Sequence, residues 1–199
     1  KTLLPDGTEI PGTNFDYNYL QHRKVDVVSS ALDFILPFEK YKITAGAKVS
    51  FTNTRNGINY DTSDPTLVQD DYFRYKEQIY ALYADYSREY SERFSMQLGL
   101  RMEHTRTTGI SEAKDTEDKH DYTRLFPTVY LLYSPTDGHA LNFSFSNRIS
   151  RPSQNMVNPF PFYQNKYTYA CGREDLKPSY TYNAELGYTL KNNFNVSAF

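Results

Sequence analysis

Aromatic and amide side chains are concentrated between Arg151 and Ser179, and they are the side chains of this sequence best suited to bind a ligand. Aromatic rings stack on sugars, peptides and chelates, and amide groups fix the orientation of a ligand through hydrogen bonds. The candidate substrate contacts are Phe160, Phe162, Tyr163, Gln164, Asn165, Tyr167 and Tyr169. The alternative interpretation is a loop whose side chains pack on their neighbours.

No pattern of catalytic or metal-binding residues accompanies this segment. The four histidines are scattered and lack the paired spacing of a zinc site. The acidic stretches at 59–65 and 115–121 lack the twelve-residue spacing of a calcium loop, so solvated loops are the simpler interpretation. No Ser-His-Asp or Cys-His arrangement can be placed, and nothing near Cys171 would activate its thiol. We expect no catalytic residues, no metal site and no cofactor.

Composition limits the classes of protein that fit this sequence. The 199 residues carry a net charge of -2, so there is no basic footprint for nucleic acid. A mean hydropathy of -0.70, without a long apolar run, excludes a transmembrane helix. Membrane β-barrels remain open, because alternating strands and polar loops average to a hydrophilic value. With 19 Tyr, 13 Phe and no Trp, tyrosine would supply most of any aromatic belt.

Alternating apolar and polar residues indicate the strands that must position these side chains. In "RFSMQLGLRMEHTR" (93–106), the residues Phe94, Met96, Leu98, Leu100 and Met102 alternate with polar residues. Similar patterns cover 25–36, 41–52, 75–87, 122–134, 141–150 and 180–190, and another begins at 194. About eight strands of ten or more residues fit a tilted bilayer crossing, which needs about 9–11 residues. The sequence predicts an all-β, antiparallel transmembrane β-barrel.

The connections between these strands alternate between short and long. The long ones cover about 53–74, 107–121 and 151–179, and the short ones cover 37–40, 88–93, 135–138 and 191–193. Outer-membrane barrels have short periplasmic turns and long extracellular loops. Aromatic residues near the short turns, including Phe38, Tyr41, Tyr90 and Phe94, would form the girdle on the periplasmic side. We therefore expect residues 1–199 to belong to one transmembrane barrel domain.

A membrane barrel assigns a different solvent to each face of its strands. Phe94 to Met102 would contact lipid, and the intervening polar residues would face a wet or plugged lumen. The predicted lumen-facing residues are Lys48, Glu77, Arg101, Glu103, Arg124, Arg148 and Glu185. A soluble, lipocalin-like binder is the competing interpretation, in which the apolar face points to a dry interior.

Several motifs carry a resemblance to a known family. They are "LGLRMEHT" (98–105), "LFPTVYLLYSP" (125–135), "RISRPS" (148–153), "NPF" (158–160), "YTY" (167–169), "LKP" (176–178) and "ELGY" (185–188). Together they resemble the barrel of TonB-dependent outer-membrane receptors, particularly the outer-membrane β-barrel family common in Bacteroidetes. The resemblance implies that this chain is part of a larger barrel of about 22 strands.

The same resemblance implies a function and a set of partners. Such receptors import a siderophore, glycan, vitamin or peptide across the bacterial outer membrane, through a barrel closed by a plug. The partners implied are outer-membrane lipid and the TonB complex, which grips a plug segment not included in this chain. A substrate-binding lipoprotein on the extracellular face is a further candidate partner.

A small self-contained barrel is the main alternative to a receptor. Eight strands would enclose an interior filled by side chains, and such a protein would act as a structural protein or an adhesin. The strand that begins at 194 and is incomplete at Phe199 argues against it, because closure requires a complete last strand paired with the first.

Overall fold

Eight of the ten strands that the computed structural model describes form one antiparallel sheet. The structure describes residues 4–8, 17–62, 70–112, 115–165, 168–173, 175–191 and 193–199. The strand order in the sheet is β1-β2-β3-β4-β5-β6-β9-β10, so β1 and β10 form its edges. The strands are β1 (Tyr17–Pro37), β2 (Tyr41–Thr62), β3 (Asp71–Ser91), β4 (Phe94–Ser111), β5 (Thr116–Tyr133), β6 (His139–Ser150), β9 (Ser179–Leu190) and β10 (Phe194–Ala198). The predicted all-β, antiparallel architecture is confirmed.

The connection between β6 and β9 contains the remaining elements. It holds a short helix, α1 (Gln154–Val157), and a two-stranded hairpin of β7 (Phe162–Asn165) and β8 (Thr168–Ala170). In the described parts of the chain, no helix has the length and apolar character needed to cross a membrane.

Two of the three predicted long connections are much shorter than the sequence suggested. The stretch 53–74 is largely strand, because β2 continues to Thr62 and β3 begins at Asp71. The stretch 107–121 is also largely strand, because β4 ends at Ser111 and β5 begins at Thr116. Both faces of these strand ends are mostly polar, as in "TNTRNG" (52–57), so the alternation disappears while the backbone ladder continues. The third connection, 151–178, does separate β6 from β9.

Aromatic rings form a band at the end of the sheet that carries the short turns. Phe38 stacks on Tyr41 with ring centroids 4.4 Å apart, and Tyr90 and Phe94 lie 5.5 Å apart. Phe94 also meets Tyr133 edge to face at 6.5 Å. At the same end, Gly138 has a φ of 78° in the β5–β6 turn, a left-handed conformation that favours glycine. This band contains the aromatic residues that the sequence predicts for a girdle.

One face of the sheet is apolar and exposed from the short turns to the row of Leu82, Met102 and Leu125. Antiparallel partners point to the same side, so Leu82, Met102 and Leu125 form one row, and Leu100 and Leu98 lie on the same side. Leu82, Leu100 and Leu125 are exposed by 56%, 50% and 55%. An uncovered apolar surface of this extent marks contact with a membrane or another apolar layer. We call this surface the apolar face.

Candidate functional site

All seven predicted lumen-facing residues lie on the face opposite the apolar face. In one row of the sheet Lys48 pairs with Ala81, Ala81 with Glu103, and Glu103 with Arg124. The same side carries Glu77, Arg101, Arg148 and Glu185. We call this surface the charged face. The backbone register therefore puts residues as far apart in the chain as Lys48 and Glu185 on one face of the sheet.

A network of charges occupies the charged face below the β6–β9 connection. The Glu103 side chain is only 7% exposed and lies between two arginines. Arg101 Nε donates to Glu103 Oε1 at 2.5 Å, and an Arg151 terminal nitrogen donates to Glu103 Oε2 at 2.5 Å. Arg151 also donates to Thr105 Oγ1 at 3.1 Å, and its Nε lies 3.8 Å from Glu77 Oε2. Residues from β3, β4 and the connection thus meet at one buried carboxylate.

Arg151 is the residue of this network that sequence reasoning missed. It follows directly after β6 and belongs to the connection, where it would pass for a solvated loop arginine. Burial alone would lower the pKa of Arg151, but its hydrogen bond to Glu103 and the Glu103 charge raise that pKa above its ordinary value. The guanidinium therefore stays charged and ties the start of the connection to the charged face. The sequence carried one signal that Arg151 has a fixed position. Arg151 directly precedes Pro152, and proline restricts the backbone conformation of the residue before it.

An apolar cluster holds the middle of the connection against the same face. Its fully buried members are Ile58 from β2, Phe73 from β3, and Val157 and Phe160 from the connection. Phe73 and Phe160 meet edge to face with ring centroids 6.4 Å apart. Tyr75 and Leu176 pack against this cluster. The connection therefore folds over the sheet and buries apolar side chains on a face that is otherwise polar.

One predicted substrate contact, Phe160, is buried in this cluster. Phe160 is 1% exposed, so it packs the connection onto the sheet and cannot touch a substrate while this packing holds. The physical reason is that Ile58 and Phe73 form an apolar spot on the charged face, and a large aromatic ring covers it. Ile58 and Phe73, large apolar residues within the stretch 53–74 that was predicted to be a loop, were the signal in the sequence.

The hairpin of β7 and β8 carries the other predicted contacts. Gln164 and Tyr169 are exposed there, and Tyr169 is exposed by 58%. Tyr167 lies outside the described residues, as do the side chains of Phe162, Tyr163 and Asn165. Gln164 and Tyr169 therefore remain candidate contacts on the outer part of the connection.

The backbone of the connection crosses itself at Gly172. The amide of Gly172 donates to the Asn158 carbonyl at 2.9 Å, and the amide of Arg173 donates to the Met156 carbonyl at 2.7 Å. A Cβ at position 172 would lie 2.5 Å from both carbonyl oxygens. Only glycine allows this close approach, so Gly172 joins the end of the hairpin to the segment around α1.

We expect Gly172→Ala to loosen the connection by about 1–3 kcal/mol, because the added methyl must displace backbone oxygens. Limited proteolysis at 151–178 would measure the change as faster cleavage. Gly57→Ala is the matched control, because the nearest atom to a Cβ there is a Tyr72 ring carbon at 3.6 Å. Equal protease resistance of the two variants would contradict this account of the crossing.

The described residues show no metal-ligand geometry. No group of three or more His, Cys, Asp or Glu side chains that could hold a metal ion occurs among them. Cys171 is exposed in the connection. The functional features of the described structure are thus a charged face, a connection packed on it, and an apolar face on the other side.

A long-stranded antiparallel sheet with one exposed apolar face and one charged face defines a segment of an outer-membrane β-barrel. The chain belongs to the outer membrane protein beta-barrel family, whose model matches residues 2–199. It is therefore a protein of the bacterial outer membrane. No curated protein sequence matches it.

Solved structures with the same fold are outer-membrane transporters and receptors. The siderophore receptor PiuA from Acinetobacter baumannii matches with a TM-score of 0.57 and 15% identity, over 90% of this chain and 31% of that one. The unliganded ferric citrate transporter FecA matches with a TM-score of 0.55 and 14% identity, over 89% of this chain and 26% of that one. The ferric yersiniabactin uptake receptor FyuA from Yersinia pestis matches with a TM-score of 0.53 and 18% identity, over 86% and 27%.

These matches confirm the resemblance to the barrel of TonB-dependent receptors at the level of the fold. The chain spans about a quarter to a third of the length of these proteins. Membership of a membrane-barrel family and the fold shared with these structures agree with the prediction that the chain is not an enzyme.

Proposed function

We propose that this chain is part of the wall of a TonB-dependent transporter that imports a scarce nutrient across the outer membrane. The observation that carries the proposal is the division of the sheet into an exposed apolar face and a charged face, in a chain of an outer-membrane barrel family. In this proposal the apolar face contacts lipid, residues 1–199 belong to one transmembrane barrel domain, and the charged face lines a lumen. A lumen wall of mixed charge suits contact with a plug domain.

The β6–β9 connection supports a role at the extracellular mouth. It lies at the end of the sheet away from the short turns, and Arg151 and Phe160 hold it against the charged face. We infer that it narrows the mouth and that the β7–β8 hairpin, with Gln164 and Tyr169 exposed, meets the substrate. FecA, FyuA and PiuA are described as a ferric citrate transporter, a ferric yersiniabactin uptake receptor and a siderophore receptor. Iron chelates therefore come first among candidate substrates, ahead of glycans, vitamins and peptides.

The proposed partners follow from the transport mechanism. The TonB complex would supply energy from the inner membrane by gripping a plug segment outside these 199 residues. An extracellular lipoprotein would be able to deliver substrate to the hairpin end of the connection. Both partners belong to the whole transporter, of which this chain would form part of the wall.

Native mass and energy-dependent uptake test this proposal together. The native polypeptide in purified outer membranes is expected to have several times the 23.2 kDa of this chain. Cells that express it are expected to accumulate a labelled ferric siderophore or ferric citrate only when TonB is active. A native mass near 23.2 kDa would support the alternative, a small closed barrel that acts as a structural protein or adhesin. Uptake that is unchanged without TonB would contradict the energy source.

A further inference from the structure

The register fixes the height at which apolar side chains end on β1 and β2. They continue two rows beyond the row of Leu82, as far as the pair of Val28 and Phe51. Phe51 lies ten residues beyond Tyr41, which belongs to the aromatic band near the short turns. At about 3.3 Å per residue and a tilt of about 40°, this stretch rises about 25 Å, the height of the apolar band in outer-membrane barrels. Because the short turns lie at the opposite end, Phe51 marks the outer-leaflet boundary of the hydrocarbon.

Four cations lie beyond this boundary, on the same side of the sheet as the apolar face. Lys24 pairs with Arg55, and Arg55 with Arg74, so three of them stand side by side on β1, β2 and β3. The fourth, Lys76, is one row nearer the boundary. Arg74 and Lys76 precede Leu82 by eight and six positions, and an even spacing along strands paired without a bulge keeps side chains on one side. We call these four cations the basic patch.

One carboxylate accompanies the four cations in the described parts of the chain. Asp26 lies 3.9 Å from Lys24 Nζ and 3.4 Å from a terminal nitrogen of Arg55. The other two cations have no described carboxylate within ion-pair distance. The Arg74 guanidinium lies 5.7 Å from the centre of the Tyr72 ring, and its Nε is buried without a hydrogen-bond partner among the described residues. Like charges opposite each other destabilise a sheet, so this excess of positive charge favours a bound anion.

The excess of positive charge is confined to β1, β2 and β3. At the same height on β4 and β5, Arg106 donates to Asp121 at 2.6 Å, and Lys119 Nζ lies 2.9 Å from Glu117. The pairing of β3 with β4 and of β4 with β5 places these four residues beside the basic patch, on the same side of the sheet. The positive charge is therefore a local feature of three strands and not a general property of this end of the sheet.

We propose that the basic patch binds the phosphate of an anionic glycolipid of the outer leaflet. By the same geometry, Lys76 lies about 5 Å and Arg74 about 10 Å above the boundary at Phe51, a height that belongs to lipid head groups. A guanidinium presents a fork of donors that matches two phosphate oxygens, and the lysine adds a point charge. The acyl chains lie below, on the exposed side chains of Val28 and Phe51. This site depends on the location in the outer membrane and not on transport of any nutrient.

A lipid-binding titration on the full-length protein from outer membranes tests the proposal. The probe is the phosphorylated, acylated glucosamine disaccharide of the outer leaflet, and native mass spectrometry in mild detergent measures its binding. The double variant with Arg74→Gln and Lys76→Gln is expected to weaken binding about tenfold, because two charged contacts with the phosphate are lost. Arg74→Lys keeps the charge but loses the fork, so its affinity should be intermediate. The dephosphorylated lipid should bind the unchanged protein as weakly as the phosphorylated lipid binds the double variant.

A double variant with Lys42→Gln and Lys48→Gln is the matched control. Both lysines are exposed on β2 and belong to the charged face by register, so this variant removes the same charge from the other side of the sheet. Its affinity for the lipid should stay within about twofold of that of the unchanged protein. Equal losses in the two double variants would overturn the site in favour of diffuse attraction by positive charge. Displacement of the lipid by inorganic phosphate alone would instead indicate a simple anion site and contradict the proposal.

Unfolding in detergent without lipid separates binding from folding. Because the basic patch places like charges opposite each other, the variant with Arg74→Gln and Lys76→Gln should unfold at the temperature of the unchanged protein or above it. Added lipid should raise the unfolding temperature of the unchanged protein more than that of this variant. A lower unfolding temperature of the variant without lipid would assign the two cations to the fold and not to a lipid. None of these assays involves uptake, so their failure would leave the proposed transport untouched.

Discussion

Arg151→Ala is expected to destabilise the packed β6–β9 connection by about 3 kcal/mol, the low end of the range for breaking a buried ion pair. The side chains of Arg151 and Glu103 are 22% and 7% exposed, so removal of the guanidinium leaves Glu103 and Glu77 on a poorly hydrated surface. Arg101 still neutralises part of the Glu103 charge, which is why the low end applies. Faster proteolysis at 151–178 and a lower urea midpoint of the folded protein are the measurements.

Arg173→Ala is the matched control for this prediction. Arg173 lies in the same connection and pairs with Asp175 at 2.6 Å, but its side chain is 74% exposed. Exposed pairs contribute about 0–1 kcal/mol, so proteolysis of this variant should stay close to that of the unchanged protein. A second substitution, Glu103→Gln, should recover part of the stability lost in Arg151→Ala, because it removes the uncompensated charge. Similar proteolysis of the two arginine variants would show that Arg151 does not anchor the connection.

Phe160→Ala is expected to cost about 3–5 kcal/mol, because it leaves a cavity among Ile58, Phe73 and Val157. The ring is 1% exposed and has no path to a substrate in the packed connection. The variant should therefore loosen the connection and weaken substrate binding only as a consequence. Hydrogen exchange of the backbone amides in 151–178 gives the local stability, and a binding titration gives the affinity.

Tyr169→Ala separates packing from recognition. Tyr169 is 58% exposed on β8, so its removal should change the free energy of unfolding by less than about 0.5 kcal/mol. If the hairpin contacts the substrate, this variant should lower affinity while hydrogen exchange stays unchanged. The opposite result, with affinity lost in Phe160→Ala at unchanged exchange rates, would return Phe160 to the substrate site.

The strands of the membrane region could be predicted from the sequence because each face of the sheet meets a different solvent. Apolar and polar side chains therefore alternate along each strand. Between Phe94 and Met102 every second side chain is apolar, and the register places these residues on one exposed face. The same rule put Lys48, Glu103 and Arg124 on the opposite face before any pairing was known. Beyond the membrane both faces are polar, so the pattern ended at about residue 52 although β2 continues to Thr62.

The sequence by itself determined the class of sheet, the sides of its strands and the family, because these depend on local alternation and on motifs within single segments. Only the tertiary structure decided which side chains of distant segments meet. Arg151 reaches Glu103 across 48 positions, and Phe160 covers Phe73 of a strand that is far away in the chain. The basic patch likewise depends on the register of three strands. Such contacts follow from the path of the connection and the register of the sheet, which no local pattern contains.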